Sequence, residues 1–300
     1  MNQKTTNSKY PSHNRIEIAN DTMKKVQEGS YTNSKGKVVS LSGNTKQALT
    51  LATYYDHGIT IELNSDRKLV KEVYECFSHS EENPDHTLNI TVVNQTTMEA
   101  AQELLETDGK TLMLNFASAK HPGGGFLNGA QAQEECLARS SDLYHTLITK
   151  NSNNFYDNNA YFGSSLYSHG LIHSPGVTFF KDDNGNLLDE PYQISVLTSP
   201  AVNAGAVTVN EPDNVGLINS TMDERIEIVL TFAADKGYDK LILGAWGCGV
   251  FGNDPDVISK IFKDKLENEF KGFFKEARFA VLDYSDDKKF IGPFEKNLLN

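Results

Sequence analysis

Two carboxylates side by side, Glu134 and Glu135, follow three consecutive glycines, Gly123, Gly124 and Gly125, after a short spacer. Carboxyl groups can protonate a leaving oxygen and stabilise a sugar that is gaining positive charge, the two tasks of glycosidic cleavage. The same pair could instead be first-turn acids that complement a helix macrodipole. Adjacent helical residues point about 100° apart, so both acids reach one pocket only where a loop becomes helix. A helix N-terminus lowers a carboxyl pKa, whereas a general acid needs it raised. Burial and the neighbouring carboxylate must therefore outweigh the dipole. The roles are then unequal: one Glu moves the proton and the other binds hydroxyls.

Two glycine-rich loops surround this chemistry. In the first, HPGGGFLNGAQAQEE (His121 to Glu135), consecutive glycines remove every Cβ from one face. A ligand can then approach the backbone, and positive φ costs nothing. The second, GAWGCGVFGNDP (Gly244 to Pro255), runs from a strand into a helix N-terminus, where free N–H groups favour an anion. Within it, Gly247-Cys248-Gly249-Val250-Phe251-Gly252 matches the dinucleotide fingerprint G-x-G-x-x-G. That fingerprint needs an acidic residue ending the next strand about 20 residues on. Here the region that far along reads as helix, and the next strand ends only at Asp283, so a nicotinamide-dependent oxidoreductase stays a rival. Two such loops at one sheet edge suit a diphosphate, bound by backbone N–H groups rather than basic side chains.

The elements that must position these loops alternate. Arg15–Tyr31 reads as a helix leading into a turn, and Lys37–Leu41 and Gly58–Leu63 are β-like. Strands are expected at Thr87–Asn94, Thr111–Ser118, Ile194–Ser199, Lys240–Trp246 and Arg278–Asp283. Helices are expected at Met98–Glu106, capped by Thr96 and Glu99, and over Ala130–Ile148. A second Thr-x-x-Glu signal, Thr221 and Glu224, precedes Ile226, Val229, Leu230 and Ala233 at helical spacing. Asp254 and Pro255 supply N-cap and N1 for a helix through about Phe270. Asn151–Asn159 and Lys181–Glu190 read as polar turn or loop. The alternation implies an α/β fold with a mostly parallel sheet, in one domain over residues 1–300, the segment 1–86 extending a core at 87–300.

Composition narrows the function. A net charge of −12 speaks against a general grip on nucleic acid. No run of about 18 apolar residues exists to span a membrane, and the N-terminus lacks a signal-peptide core, which points to the cytoplasm. Cys76, Cys136 and Cys248 are scattered and odd in number, giving neither a disulfide framework nor a metal pair. His169 and His173 are four apart, but Gly170 and Pro175 argue against the helix a metal pair would need. No metal and no cofactor is implied.

The string NFASAKHPGGGFLNGAQAQEE (Asn115 to Glu135) resembles the signature of bacterial-type poly(ADP-ribose) glycohydrolases. GAWGCGVFGNDP resembles that family's second glycine loop, and RIEIANDTMKKVQEGSY (Arg15 to Tyr31) its N-terminal segment. The resemblance implies a macrodomain-like three-layer α/β fold with a mixed, mostly parallel central sheet and an N-terminal helical extension. It also implies hydrolysis of ribose–ribose bonds in poly(ADP-ribose), mainly from chain ends, with ADP-ribose as product. By that match Glu135 protonates the leaving oxygen and then activates water, while Glu134 binds ribose hydroxyls. Gly123, Gly124, Gly125 and Gln133 would lie against the substrate, and Gly247, Gly249, Val250 and Gly252 would cradle the diphosphate. Phe251 and Asn115 would contact the distal ribose. A hydrolase acting on a mono-ADP-ribosylated target and a non-catalytic ADP-ribose reader remain the alternatives.

Overall fold

The structure, a computed structural model, describes residues 12–56 and 87–299. The β-like stretch expected at Gly58–Leu63 and Cys76 lie outside the described residues. In chain order the elements are α1 (Ser12–Glu28), β1 (Ser30–Thr32), β2 (Val38–Ser40), α2 (Ser42–Leu51) and β3 (Thr53–Tyr55). Then come β4 (Asn89–Val93), α3 (Thr97–Leu105), β5 (Thr111–Phe116), α4 (Gln133–Ser140), α5 (Leu143–Leu147) and α6 (Lys150–Phe162). The remainder are β6 (Leu171–Lys181), β7 (Leu187–Ser199), α7 (Ala204–Asn210), α8 (Ile218–Asp235), β8 (Lys240–Leu243), α9 (Pro255–Asp264), β9 (Glu276–Ala280) and α10 (Ile291–Leu298).

One seven-stranded sheet has the order β3-β6-β7-β5-β8-β9-β4. The run from β7 to β4 is parallel, and β6 and β3 add antiparallel strands at one edge. Successive strand residues face opposite sides, so the apolar runs of β5, β7 and β8 feed two cores. Leu112, Leu114, Leu197, Leu241 and Leu243 join one core with residues of α8 and α9. Met113, Val196 and Ile242 join the other with residues of α3, α4, α5 and α6. Helices therefore cover both faces, as the expected three-layer arrangement requires.

Two helix starts follow their sequence signals. Thr96 Oγ1 accepts the Glu99 N–H at 3.1 Å while Glu99 Oε2 accepts the Thr96 N–H at 2.9 Å, a full capping box. Asp254 Oδ1 accepts the Asp256 N–H at 2.9 Å, with Pro255 at N1 of α9. Thr221 and Glu224 do not start a helix. They lie inside α8, which begins at Ile218 directly after a 3₁₀ turn over Pro212–Leu217.

Other expectations gave way to packing. Asn151–Asn159 is not loop but the body of α6, capped by Thr149 Oγ1 and closed by Gly163 in the left-handed region. Its buried Phe155 and Tyr156 supply a core-facing side that outweighs the weak helix propensity of the asparagines. Ala130–Ile148 is two helices, because Ser141 is extended and Asp142 is spent elsewhere. The Asp142 carboxylate accepts the Thr45 hydroxyl at 2.7 Å and the Thr178 N–H at 2.8 Å. Burial pushes that carboxyl up to about 6, against the lowering effect of these bonds. The polar stretch Lys181–Glu190 is a hairpin between long strands, with only 182–186 outside them. β8 stops at Leu243, short of the expected Trp246. A Cβ on the next residue, Gly244, would lie 2.5 Å from the Ala280 carbonyl oxygen.

Candidate active site

β5 and β8 are neighbouring parallel strands, so the loops that leave their C-terminal ends emerge side by side. β7 flanks β5 on its other side, and its exit, 200–203, completes the rim. Ligands of open α/β sheets bind at this edge.

The first loop turns tightly through Gly123 (φ 66°) and Gly124 (φ 59°) and then a 3₁₀ turn at Phe126–Asn128 before α4 starts at Gln133. Its helix start brings both acids inward. Glu134 is only 3% exposed. Its Oε2 accepts the Ser118 N–H at 2.7 Å, and its Oε1 accepts the Asn115 amide at 3.3 Å. Burial pushes the Glu134 carboxyl up to about 8 despite those donors, with Glu135 adding to the rise. Burial has thus outweighed the helix terminus at Glu134, whereas the resemblance gives the proton transfer to its neighbour, Glu135. Glu135 is half-buried, and its Oε1 accepts the Gly125 N–H at 3.0 Å.

The glycines of this loop face the protein more than the open cleft. A Cβ on Gly124 would overlap Glu135 Oε1 and come within 3.2 Å of Glu134 Oε2. On Gly123 it would press on the Phe126 and Tyr144 rings at 3.0 and 3.2 Å, and on Gly125 it would meet Ala130 Cβ at 2.8 Å. Missing side chains here make room for the carboxylates, not only for a ligand.

Two expected contact residues are occupied within the fold. Gln133 Oε1 accepts the Phe116 N–H at 2.9 Å, and its amide donates to the Leu114 carbonyl at 2.8 Å and to Thr97 Oγ1 at 3.3 Å. Gln133 thereby fastens the first turn of α4 to β5. Asn115 is fully buried and splits its amide between Glu134 and Thr198 Oγ1, the latter at 3.1 Å. It ties the inner acid to β7.

The N-terminal segment reaches the same loop. Arg15 Nε donates to the Gly129 carbonyl at 2.6 Å, and the Thr22 hydroxyl bonds the Arg139 carbonyl. Arg139 in turn donates to the Ala130 carbonyl at 2.7 Å. α1 therefore braces the far side of the turn that carries the glycines.

The second loop is more open. Gly249 has nothing within reach of an added Cβ, and Val250 is 91% exposed. The N–H groups of Gly249, Val250 and Phe251 meet no acceptor among the described residues. Its base is fixed by Asn253, whose amide donates to the Val202 carbonyl at 2.7 Å and to the Gly247 carbonyl at 3.1 Å. A Cβ on Gly247 would sit 2.5 Å from both Ala201 Cβ and Asn253 Nδ2, so this glycine packs the loop against the β7 exit. Phe251 is half-buried, lies 6.3 Å from the Tyr167 ring, and accepts the Gly205 N–H at 2.9 Å. Cys248 is buried, and burial raises its thiol pKa, which suits a packing residue.

The two histidines are engaged separately within the fold. His173 Nε2 is 2.7 Å from the Tyr238 hydroxyl, whereas His169 Nε2 is 3.3 Å from Glu224. Among the described residues no group of three His, Cys, Asp or Glu could hold a metal ion. Among them, too, no helix is long and apolar enough to cross a membrane. Thr198, Ala201 and Tyr167 were not legible at this edge, since they carry no motif and arrive from other strands and loops; Asn253 stood inside the second loop's motif without a role assigned to it.

Residues 19–182 match the family model described as the microbial-type PARG catalytic domain. The structure is similar to poly(ADP-ribose) glycohydrolase from Thermomonospora curvata, bound there to the inhibitor ADP-HPD. The two share 37% identity at a TM-score of 0.83, over 95% of this chain and 99% of that one. It is also similar to poly(ADP-ribose) glycohydrolase from Deinococcus radiodurans in complex with ADP-ribose. There the identity is 36% and the TM-score 0.77, over 87% of this chain and 98% of that one. A comparison with curated protein sequences returned no significant match.

Proposed function

This chain belongs to the microbial-type poly(ADP-ribose) glycohydrolases, and from that premise we propose that its two glycine loops grip an ADP-ribose unit while Glu135 cuts the ribose–ribose bond behind it. The observation that carries this reading is the convergence of Glu134 and Glu135 beside Gly124, at the edge where the second loop presents unengaged N–H groups. An oxidoreductase built on Gly247–Gly252 is set aside by the family.

Of the two acids, Glu135 is the more exposed and keeps only Oε1 committed, so it suits the group that meets substrate and water. Its proton passes to the leaving ribose oxygen as the C–O bond breaks, and positive charge develops on the remaining ribose. Water then adds to that carbon and returns a proton to Glu135. Glu134, held by Ser118 and Asn115 and largely protonated near neutrality, donates to a ribose hydroxyl and fixes the sugar. Backbone N–H groups of Gly249–Phe251 take the diphosphate, which an acidic chain can bind without basic side chains.

Release from chain ends rests on the resemblance of both loops to the bacterial branch. Incubation with poly(ADP-ribose), without added metal, is expected to liberate monomeric ADP-ribose. Oligomers as the first products would overturn the exo reading. Tight ADP-ribose binding without release would favour a reader or a mono-ADP-ribosylated target.

A further inference from the structure

We propose that Arg225 is a positioning residue for the second glycine loop, acting through the buried Tyr167 ring behind Phe251 and through the β7 exit, and that substrate affinity depends on it far more than bond cleavage does. This inference rests on the glycohydrolase reading for its substrate. Its geometry stands apart from the glutamates.

Arg225 lies on α8 and is 0% exposed, surrounded by the larger apolar core. A buried guanidinium is costly unless its N–H groups are satisfied. No carboxylate bridges it among the described residues. Instead Nη1 donates to the Pro200 carbonyl at 2.9 Å, and Nη2 donates to the carbonyls of Leu166 at 2.8 Å and Tyr167 at 2.9 Å, while Nε meets no acceptor among the described residues. One planar fork thus binds the exit of β7 to the segment 163–170.

That segment is held from two other directions. Asn159 Oδ1 accepts the N–H and hydroxyl of Ser168, at 2.9 and 3.1 Å. Glu211 accepts the Ser165 N–H at 2.7 Å and the Ser164 hydroxyl. Between these anchors Tyr167 has φ 59°, a conformation that residues with a Cβ rarely adopt. Strain of this kind persists where the surroundings over-determine it, and it clusters at ligand clamps. Its product here is a ring set against Phe251, while the β7 exit fixed by the same fork also anchors the second loop through Val202 and Asn253.

Arg225→Lys replaces the fork with a single ammonium that cannot span both loops. It is expected to raise KM for poly(ADP-ribose), and the calorimetric Kd for ADP-ribose, by about 10-fold or more, with kcat within about 3-fold. Tyr167→Gly keeps the carbonyl that Arg225 holds, accepts the positive φ and removes the ring. It is expected to weaken both constants in the same way, and to lower Tm because the ring it removes is buried. Unchanged KM and Kd in folded Tyr167→Gly would overturn the proposal, as would an Arg225→Lys enzyme that loses kcat while keeping its affinity. Should Arg225→Lys fail to fold, Tyr167→Gly decides alone. If wild-type protein binds ADP-ribose without cleaving polymer, the glycohydrolase reading falls and the Kd series still tests Arg225; if it does neither, both fall.

Discussion

The two glycine loops look alike as strings but are glycine-rich for different reasons. In the first, Gly124 is small because Glu134 and Glu135 occupy the space where its side chain would be. In the second, Gly247 is small because Ala201 and Asn253 press on it, while Gly249 faces open space beside unengaged N–H groups. One loop is shaped around the protein's own carboxylates, and the other leaves its backbone open. On the proposed reading, chemistry and grip are thereby divided between two neighbouring strand ends.

The division can be broken by substitution. Glu135→Gln is expected to lower kcat by about 10³-fold, within the usual range for removing a general acid, with calorimetric ADP-ribose affinity little changed. An active Glu135→Gln enzyme would end the assignment of chemistry to the first loop. Gly124→Ala is expected to cost about 10²-fold in kcat by displacing both carboxylates, and to lower stability through its positive φ. Paired activity and thermal melts would show whether the two losses travel together.

A pH series sharpens the picture of the inner acid. The Glu134 carboxyl is raised to about 8 in the fold from an ordinary value of 4.5. Between those values the folded chain keeps a proton that the unfolded chain has released, so stability falls as pH rises. The loss is expected to reach roughly 1.4 kcal/mol per pH unit across that window and then to level off. Glu134→Gln should flatten the slope in denaturant titrations at pH 5 to 8; an unchanged slope would place its cause elsewhere. The smallest effect is expected from Gly249→Ala. Its stability should stay within about 0.5 kcal/mol of wild type, while ADP-ribose affinity weakens a few-fold because the backbone approach is narrowed. If Gly124→Ala proved as mild as Gly249→Ala, the contrast between the loops would be lost.

What the sequence determined by itself was local. The three glycines, the adjacent acids, the Thr96–Glu99 capping box and the Asp254-Pro255 helix start all act over a few residues, and both caps form as their spacing requires. Apolar runs over Thr111–Ser118 and Lys240–Trp246 marked the two central strands, and both loops could be placed at their C-terminal ends. Tertiary structure decided the rest. The asparagine-rich stretch at 151–159 became helix because Phe155 and Tyr156 found a core, and Ala130–Ile148 broke because Asp142 found partners on α2 and β6. The residues alone could name Glu134 and Glu135 as an unequal pair; only the family resemblance ranked them. Their ranking depends on how deeply each is buried and on donors from Asn115, Ser118 and Gly125, residues that meet the acids only after the sheet has formed. Burial and long-range hydrogen bonding are properties of the assembled layers, and no window of sequence contains them.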